Sequence, residues 1–471
     1  MKMRKRDVRR TTLASRLLCA TGSLLLLTNV QTAEAQTGSV PLLFEGARLI
    51  VGDGSAPIED AAFVVENNRF TIVGRNGEIQ VPAGAVRVDL TGQTVMPALI
   101  DTHVHVGGTR QGIVERLNLL AYAGIAAVQD MGTMPDFGPA FRVRAEQPPN
   151  GAQLLMTGRG LVGPLGTVPR NIELGARGRL FEDLRSSAIQ VMTEARGRRH
   201  VRWLAEQRAD AVKLWVDDRL GLEEPMTPAN YRAVIDEAHR HNLRVIAHVW
   251  YLEDAKDLVR AGVDGLAHPI RDKDVDDEMI ELLKSHPNVF IQTTLRPTYT
   301  YTLTEDPAWF EDPLFVDIST PEEIRDIREL VRSSEPWAHQ GWPNKMPFGK
   351  ELYERIVRNT KKLYEAGVPH ALGTDHGGPA PRAYVAHLEL KLLVNDVGLT
   401  PSEAITLATQ SSAKALQLVD LGTIEPGKIA SFIVLDANPL DDITNTQRIS
   451  RVYLRGHEID RLAFKNRYVS Q

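Results

Sequence analysis

The sequence predicts an α/β protein, a (β/α)8 barrel of the TIM type joined to a small β domain. Eight short apolar runs, separated by amphipathic helical stretches, recur through residues 96–418 and predict the barrel. Residues 36–95 and 419–471 both alternate short apolar runs with turn residues, which is typical of antiparallel strands. We therefore expect both ends of the chain to build one small sheet domain.

Residues 1–35 have the pattern of a secretory signal peptide, which would be removed from the mature protein. A basic start, "MKMRKRDVRR", precedes the apolar run "LLCATGSLLLLTNV", and Ala33-Glu34-Ala35 fits a cleavage site. The apolar run is short for a bilayer span, so we expect export to the periplasm or the medium without a stable membrane anchor. Arg9-Arg10 leaves the general secretory and twin-arginine routes both open.

The composition argues against some partners and against thiolate metal ligands. With 43% hydrophobic residues, 24% charged residues and a net charge of −5, the chain of 471 residues is typical of a soluble enzyme and not of a nucleic-acid-binding protein. Cys19, the single cysteine, lies inside the predicted signal peptide. Any metal in the mature protein would therefore be bound by nitrogen and oxygen atoms.

The central apolar runs alternate with helical stretches such as "TPANYRAVIDEAHRHN" and "LEDAKDLVRAG", which end in Asn or Gly as helices often do. A doubly wound open sheet would need fewer units and usually a glycine-rich phosphate loop, which the sequence lacks. The barrel is therefore the favoured architecture. In chain order its strands are "ALIDTHVH", "IAAVQD", "AQLLMT", "DAVKLW", "LRVIAHVW", "DGLAHP", "NVFIQTT" and "HALGTD".

Residues 296–349 interrupt this rhythm with an aromatic-rich insertion that follows the seventh predicted strand. Active sites of such barrels lie at the carboxyl ends of the strands, so a lid or substrate wall is one interpretation. The other is a segment that packs on its own small core or on a second subunit of a homo-oligomer, which we also expect. The aromatic residues are Tyr299, Tyr301, Trp309, Phe310, Trp337 and Trp342.

Six polar residues stand at or near the carboxyl ends of the predicted strands, which closure into a barrel would bring to one mouth. Each alone has an ordinary structural interpretation, such as a hydrogen-bonded histidine or a turn-capping aspartate. Six such residues at the same end of their strands instead indicate a metal centre, and four imidazoles with a carboxylate suit Zn²⁺ or a similar divalent cation. The six are His103, His105, Lys213, His248, His268 and Asp375.

The motifs "MPALIDTHVH", "VIAHVW", "DGLAHP", "LGTD" and "LGTIEPGKIASFIVLD" together resemble the amidohydrolase superfamily of metal-dependent hydrolases. The resemblance covers nearly all of the mature chain. It implies a (β/α)8 barrel at 96–418 and a β-sandwich formed by 36–95 with 419–471. It also implies that the four histidines and Asp375 bind metal.

Lys213 separates two subgroups of that superfamily. In the binuclear members a lysine of the fourth strand is carboxylated, and its anionic oxygens bridge two metals. The resemblance then implies two zinc ions per chain, although other divalent metals fit the same donors. His103, His105 and Asp375 would bind one ion, and His248 and His268 the other.

The binuclear subgroup resembled includes Xaa-Pro dipeptidases and amidases of N-acyl amino acids, so we expect an exported hydrolase of a small amide or peptide. A metal-bound hydroxide would attack the carbonyl carbon, and Asp375 would transfer the proton to the leaving amine. Around the metal core the sequence departs from that subgroup at Ala98, Gln129 and Trp250, which leaves the substrate open.

Alternatives remain open for the substrate contacts and for the class of reaction. Tyr251, Arg159 and Arg296 are candidates for binding the substrate, and an ordinary structural role is the alternative for each. A mononuclear deaminase or cyclic amide or amidine hydrolase of the imidazolonepropionase type is the first alternative function. An esterase or lactonase would use the same chemistry, and a binding protein without activity is the remaining class.

Overall fold

The computed structural model describes residues 40–106, 108–132, 137–164, 188–218, 220–221, 224–303, 305–332, 349–376 and 382–468. The predicted signal peptide lies outside the described residues, as do Trp337 and Trp342 of the aromatic insertion. Within these ranges, no helix is both long and apolar enough to cross a bilayer.

The strands of the described chain fall into three sheets. In chain order they are β1 Leu42–Leu49, β2 Ile58–Glu66, β3 Arg69–Arg75, β4 Val86–Asp89, β5 Thr94–Pro97, β6 Leu99–Val104, β7 Ile125–Asp130, β8 Gln153–Met156, β9 Gly160–Val162, β10 Ala188–Gln190, β11 Ala211–Trp215, β12 Arg244–His248, β13 Gly265–Leu266, β14 Phe290–Gln292, β15 His370–Ala371, β16 Phe432–Leu435, β17 Ile449–Leu454 and β18 His457–Glu458.

The first sheet combines strands from both ends of the chain. Its order is β18-β17-β16-β5-β1-β2-β3, and β4 pairs with β1. The junction is the antiparallel pair of β16 with β5, in which Phe432 lies opposite Pro97. Aromatic rings fill the space over this sheet, where Phe44 stacks on Phe63 at a centroid distance of 4.9 Å. A distinct domain made of 36–95 and 419–471 stays a prediction.

The parallel strands form the other two sheets. Their orders are β6-β7-β8 and β10-β9-β11-β12-β13-β14-β15, and every pair in them is parallel. The eight predicted runs correspond to β6, β7, β8 and β11 to β15, while β9 and β10 were not predicted. Every residue of β6, β7 and β11 is buried, as expected for strands that are covered on both faces. The structure thus confirms a mixed α/β fold with parallel sheets.

Backbone hydrogen bonds also join β6 to the segment that follows β15. The Thr102 amide donates to the Leu372 carbonyl oxygen at 2.8 Å, and the His105 amide donates to the His376 carbonyl oxygen at 2.8 Å. The Asp375 amide donates to the His103 carbonyl oxygen at 2.9 Å. The first and last strands that carry predicted site residues therefore lie side by side.

Helices lie between most parallel strands. They are α1 Arg110–Tyr122, α2 Phe137–Glu146, α3 Glu194–Glu206, α4 Pro228–Arg240, α5 Leu252–Arg260, α6 Asp277–Ser285, α7 Leu295–Thr300, α8 Pro313–Ile318, α9 Pro321–Arg332, α10 Lys350–Glu365, α11 Val385–Leu392, α12 Pro401–Thr406, α13 Ser412–Ala415 and α14 Arg461–Tyr468. The predicted stretch "TPANYRAVIDEAHRHN" is α4, in which Thr227 caps the amino end by accepting from the Asn230 amide. Asn242, just past its carboxyl end, has a φ of 56°, a conformation that Asn tolerates.

Part of the aromatic insertion packs into the main hydrophobic core of the described chain. Trp309 and Phe310 are 3% and 5% exposed. Their rings contact Phe315 at centroid distances of 5.1 and 5.2 Å, and Trp309 also lies beside Tyr384. These two residues therefore belong to the main hydrophobic core of the described chain, and a lid or substrate wall stays a prediction for the rest of the insertion.

Candidate metal centre

His103 and His105 project from the end of β6 and its extension, where side chains two residues apart lie on the same face. His103 Nε2 lies 3.4 Å from Asp375 Oδ1, and His105 Nε2 lies 2.9 Å from the same oxygen. All three donor atoms lie within 4.8 Å of one another. The structure therefore brings these three predicted ligands together at one point.

His248 and His268 lie beside this trio. The His268 ring is 5.1 Å from the His103 ring and 4.4 Å from the His248 ring, measured between centroids. His248 Nε2 lies 3.1 Å from a carboxylate oxygen of Asp217, and His268 Nδ1 lies 2.9 Å from Thr294 Oγ1. Both rings are thus oriented by a polar neighbour, an arrangement typical of metal-binding histidines.

Burial keeps the imidazoles of His103, His248 and His268 neutral. It lowers the pKa of His103 and of His268 well below the ordinary value of 6.5, and it lowers the pKa of His248 as well. Nearby cations, Lys213 for His103 and Arg271 for His268, lower these pKa values further. A neutral imidazole keeps a free lone pair, which is the form that binds a metal ion.

Lys213 lies on β11 with its side chain in the same buried space. Only 1% of the residue is exposed, and its Nζ has no hydrogen-bond partner among the described residues. Burial lowers the pKa of this amine to about 7, against the opposing effect of Asp375, and Arg271 lowers it further. A buried amine without a partner is costly, so its presence here calls for a chemical role.

The Trp215 ring forms one wall of the Lys213 pocket. The Lys213 Nζ lies 5.3 Å from its centroid. The ring packs so closely on Gly160 that a Cβ there would lie 1.8 Å from Trp215 Cζ3. Gly160 is therefore required for the position of the ring, and a glycine opening β9 is the only sequence signal of it.

Asp375 is held in a strained backbone conformation. Its φ is 50°, in the left-handed region that few residues other than glycine adopt. Asp101 stabilises this loop, because its carboxylate accepts from Thr374 Oγ1 at 2.6 Å, from the Thr374 amide at 3.1 Å and from the His103 amide at 3.1 Å. One buried carboxylate thus positions two of the predicted ligands.

The Asp375 side chain stays ionised. Burial alone would raise its pKa, but His103, the hydrogen bond with His105 and the charge of Arg296 together lower it below the ordinary value of 3.8. At neutral pH the group is a carboxylate that can bind a cation or accept a proton.

Arg296 holds the backbone of the Asp375 loop in place. Its Nη2 donates to the carbonyl oxygens of Thr374 at 3.0 Å and Asp375 at 2.6 Å. Its own backbone amide donates to Glu389 Oε2 at 2.9 Å. These contacts make Arg296 a positioning residue, and a contact with the substrate stays a prediction.

The other two predicted substrate contacts have partners outside the trio of His103, His105 and Asp375. The Tyr251 hydroxyl donates to Asp218 Oδ1 at 2.8 Å. The Cζ of Arg159 lies 6.0 Å from the centroid of the Trp203 ring on α3. Substrate binding by Tyr251 and Arg159 therefore stays a prediction.

Sequence analysis missed several residues of this site. Asp217 follows β11 in "KLWVDD", and Arg271 follows the strand-six histidine in "HPIRD". Charged residues directly after buried strands are a signal that could have found both. Asp101 and Thr294 became visible only through their contacts.

Comparison with known proteins identifies the family. Residues 209–459 match the model of the Amidohydrolase family. The chain is 25% identical to an ochratoxinase of Aspergillus niger over 87% of this chain and 84% of the ochratoxinase. It is 26% identical to an imidazolonepropionase of Cereibacter sphaeroides over 87% of this chain and 96% of that enzyme. A crystal structure of a putative prolidase from Bifidobacterium longum superposes with a TM-score of 0.68 at 23% identity, covering 91% of this chain and 98% of that one.

The chain therefore belongs to the amidohydrolase family, as its motifs predicted. It is a hydrolytic enzyme that acts on carbon–nitrogen bonds. Enzymes of this family depend on metal ions, and the trio of His103, His105 and Asp375 provides donors of the expected kind.

Proposed function

We propose that this protein hydrolyses the amide bond of a small molecule at a binuclear metal site. The observation that carries the proposal is Lys213, a fully buried amine without a hydrogen-bond partner among the described residues. It shares its pocket with neutral imidazoles and an ionised carboxylate. A mononuclear site would have no use for this lysine.

The donor set fits two divalent cations, with Zn²⁺ as the first choice. His103, His105 and Asp375 would hold one ion, and His248 and His268 the other. The buried Nδ1 atoms of His103 and His105 have no hydrogen-bond partner in the described chain, and their Nε2 atoms face Asp375. When bound, such cations lower the pKa of water and polarise a carbonyl group.

We propose that Lys213 is carboxylated in the active enzyme. A pKa of about 7 leaves a large fraction of the amine neutral at neutral pH. The neutral Nζ would add to carbon dioxide, form an N–C bond and lose one proton. The product is an anionic oxygen donor, and it removes the cost of burying an ammonium group.

Asp375 would move the proton during hydrolysis. Its Oδ1 is already within hydrogen-bond distance of His105 Nε2, which fixes the carboxylate in the pocket. The carboxylate would accept a proton from water as the oxygen attacks the carbonyl carbon. It would then give that proton to the nitrogen as the carbon–nitrogen bond breaks.

The substrate class rests on the relatives. An ochratoxinase and a putative prolidase are both similar to this chain. We propose a dipeptide, an N-acyl amino acid or an aryl amide as substrate. The similarity to an imidazolonepropionase supports a second candidate, a mononuclear hydrolase of a cyclic amide or amidine.

The wider organisation is also proposed. The hydrogen bonds from β6 to the segment after β15 support closure of the parallel strands into a (β/α)8 barrel. The sheet shared by both ends supports a β domain of residues 36–95 and 419–471. Export after removal of residues 1–35 and assembly into a homo-oligomer complete the proposal.

Metal counting and turnover test the proposal together. The zinc-loaded protein should contain two metals per chain and should hydrolyse members of a panel of dipeptides, N-acyl amino acids and aryl amides. Carbon-13 NMR with labelled bicarbonate should give a carbamate signal that Lys213→Met abolishes. One metal per chain with an unmodified lysine would favour the second candidate, and turnover of no amide would overturn the first.

A further inference from the structure

Arg271 is a second buried cation beside the site. The residue is 6% exposed and follows His268 by three positions, in the connection between β13 and α6. The guanidinium interacts electrostatically with the carboxylates of Asp375 and Asp217, and its positive charge lowers the pKa of Lys213 and of His248. The guanidinium therefore lies near the predicted metal ligands.

This guanidinium forms no close ion pair in the described chain, although the charges of Asp375 and Asp217 act on it. No described carboxylate forms an ion pair with it, and its Nε is buried without a hydrogen-bond partner. A buried charge is tolerated when an opposite charge compensates it, so the pocket is incomplete without an anion. Metal ions would add positive charge and deepen this need.

The position of Arg271 is fixed from several sides. Its Cζ lies over the Trp250 ring, 5.1 Å from the centroid, and its amide donates to the Trp250 carbonyl oxygen at 3.1 Å. The Arg355 Nη1 donates to the Arg271 carbonyl oxygen at 3.0 Å, and the Asn359 Nδ2 donates to the Ile270 carbonyl oxygen at 3.0 Å. These contacts hold the backbone around Arg271 and place its guanidinium against the Trp250 ring, which organises the cation in advance for a ligand.

We infer that Arg271, stacked on Trp250, binds the free carboxylate of an N-acylated amino acid or peptide whose amide bond lies at the metal centre. The planar guanidinium offers paired donors that match a carboxylate. The inference rests on the proposed amide hydrolysis and narrows it to anionic substrates. Neutral aryl amides would leave the arginine uncompensated, so the enzyme should discriminate against them.

Two probes that differ only in the carboxylate test this inference. N-acetyl-L-phenylalanine and N-acetyl-2-phenylethylamine each have one scissile amide, and release of the amine is followed by chromatography on the zinc-loaded enzyme. The wild type should favour the acid in kcat/KM by on the order of 100-fold or more. Arg271→Met should remove most of this preference by lowering kcat/KM for the acid while leaving kcat/KM for the neutral probe unchanged. Arg271→Lys should restore part of the preference.

Arg244→Met is the matched control. Arg244 also stacks on an aromatic ring, with its Cζ 5.0 Å from the Phe290 centroid, but it opens β12 at the end opposite His248. Its loss should change stability and leave the preference for the acid intact. Thermal unfolding of all variants confirms that each is folded.

The possible outcomes separate the two proposals. Equal turnover of both probes by the wild type, or an equal loss of both in Arg271→Met, would overturn the role of Arg271. Turnover of neither probe would count against the proposed hydrolysis of such amides, and calorimetry then decides on Arg271 itself. Tighter binding of the acid that Arg271→Met weakens at least about tenfold supports the inference, whereas equal binding of acid and neutral probe refutes it.

Discussion

Replacing Lys213 by Met should stabilise the metal-free protein while abolishing its activity. The side chain is buried, its Nζ has no hydrogen-bond partner in the described chain, and burial lowers its pKa from 10.5 to about 7. That fall corresponds to about 5 kcal/mol of unfavourable free energy when the folded protein must carry the ammonium. Local relaxation and entry of water reduce this cost, so we expect a gain of about 1–4 kcal/mol in the free energy of unfolding.

The gain should depend on pH. Between pH 7 and 10.5 the unfolded lysine binds a proton that the folded lysine does not bind. Wild-type stability should therefore rise with pH across this window, and the advantage of Lys213→Met should shrink toward zero at its upper end. Urea unfolding at several pH values, with chelator present and bicarbonate removed, measures both variants in the same state.

Lys256→Met is the matched control, because this lysine is equally buried but paired. Its Nζ lies 2.7 Å from carboxylate oxygens of both Asp276 and Glu278, and burial of the residue is nearly complete at 2% exposure. Removing it breaks both ion pairs, so stability should fall. If Lys213→Met lost stability as Lys256→Met does, the interpretation of Lys213 as an uncompensated amine would be wrong.

Three further variants test the groups around the metals. Asp375→Asn should lower kcat by about 10²–10⁴-fold with an unchanged circular dichroism spectrum, because the amide cannot carry the proton. Gly160→Ala should cost about 1–3 kcal/mol in urea unfolding and lower metal occupancy, because the new Cβ would lie 1.8 Å from Trp215 Cζ3. Thr294→Val should weaken zinc affinity by about 10–100-fold in a chelator competition, because it removes the oxygen 2.9 Å from His268 Nδ1.

For each of these three predictions, a specific result would contradict the reasoning. Near-normal turnover by Asp375→Asn would remove that residue from proton transfer. Gly112→Ala serves as the control for Gly160, because its Cβ would meet Thr109 Oγ1 at an ordinary 3.4 Å inside α1 and should not destabilise. Unchanged zinc affinity in Thr294→Val would show that the threonine does not orient the His268 ring.

Sequence reasoning found the parallel strands and the candidate ligands that cluster at their ends because both have strong local signals. The eight apolar runs are long enough to show their β character, and the polar residues that end them are conspicuous after buried strands. The strands β9 and β10 escaped notice because glycines interrupt the apolar run around β9 and because all three residues of β10 are only partly buried. Closure of a barrel depends on strand pairing across the chain, which periodicity does not encode.

The supporting residues could not be predicted for a different reason. Asp101 precedes His103 in the motif, yet its function depends on Thr374, which lies far along the chain and donates to its carboxylate. Arg296 was predicted as a candidate for substrate contact. Its actual hydrogen bonds reach carbonyl oxygens of the Asp375 loop, and only the packing of two distant segments defines them.

Lys213 and Arg271 together explain how the pocket is tuned. Both are buried basic groups that form no ion pair in the described chain, and the charge of Arg271 lowers the pKa of Lys213 further. Carboxylation would convert the lysine into an anion, which in turn favours metal binding, and the resulting positive centre together with Arg271 would favour an anionic substrate. The folded chain by itself therefore carries an unfavourable electrostatic free energy. Carboxylation of Lys213, metal binding and substrate binding would each remove a part of it. The measurable consequence is a stepwise rise in the free energy of unfolding when carbon dioxide, then zinc and then an N-acyl amino acid are added.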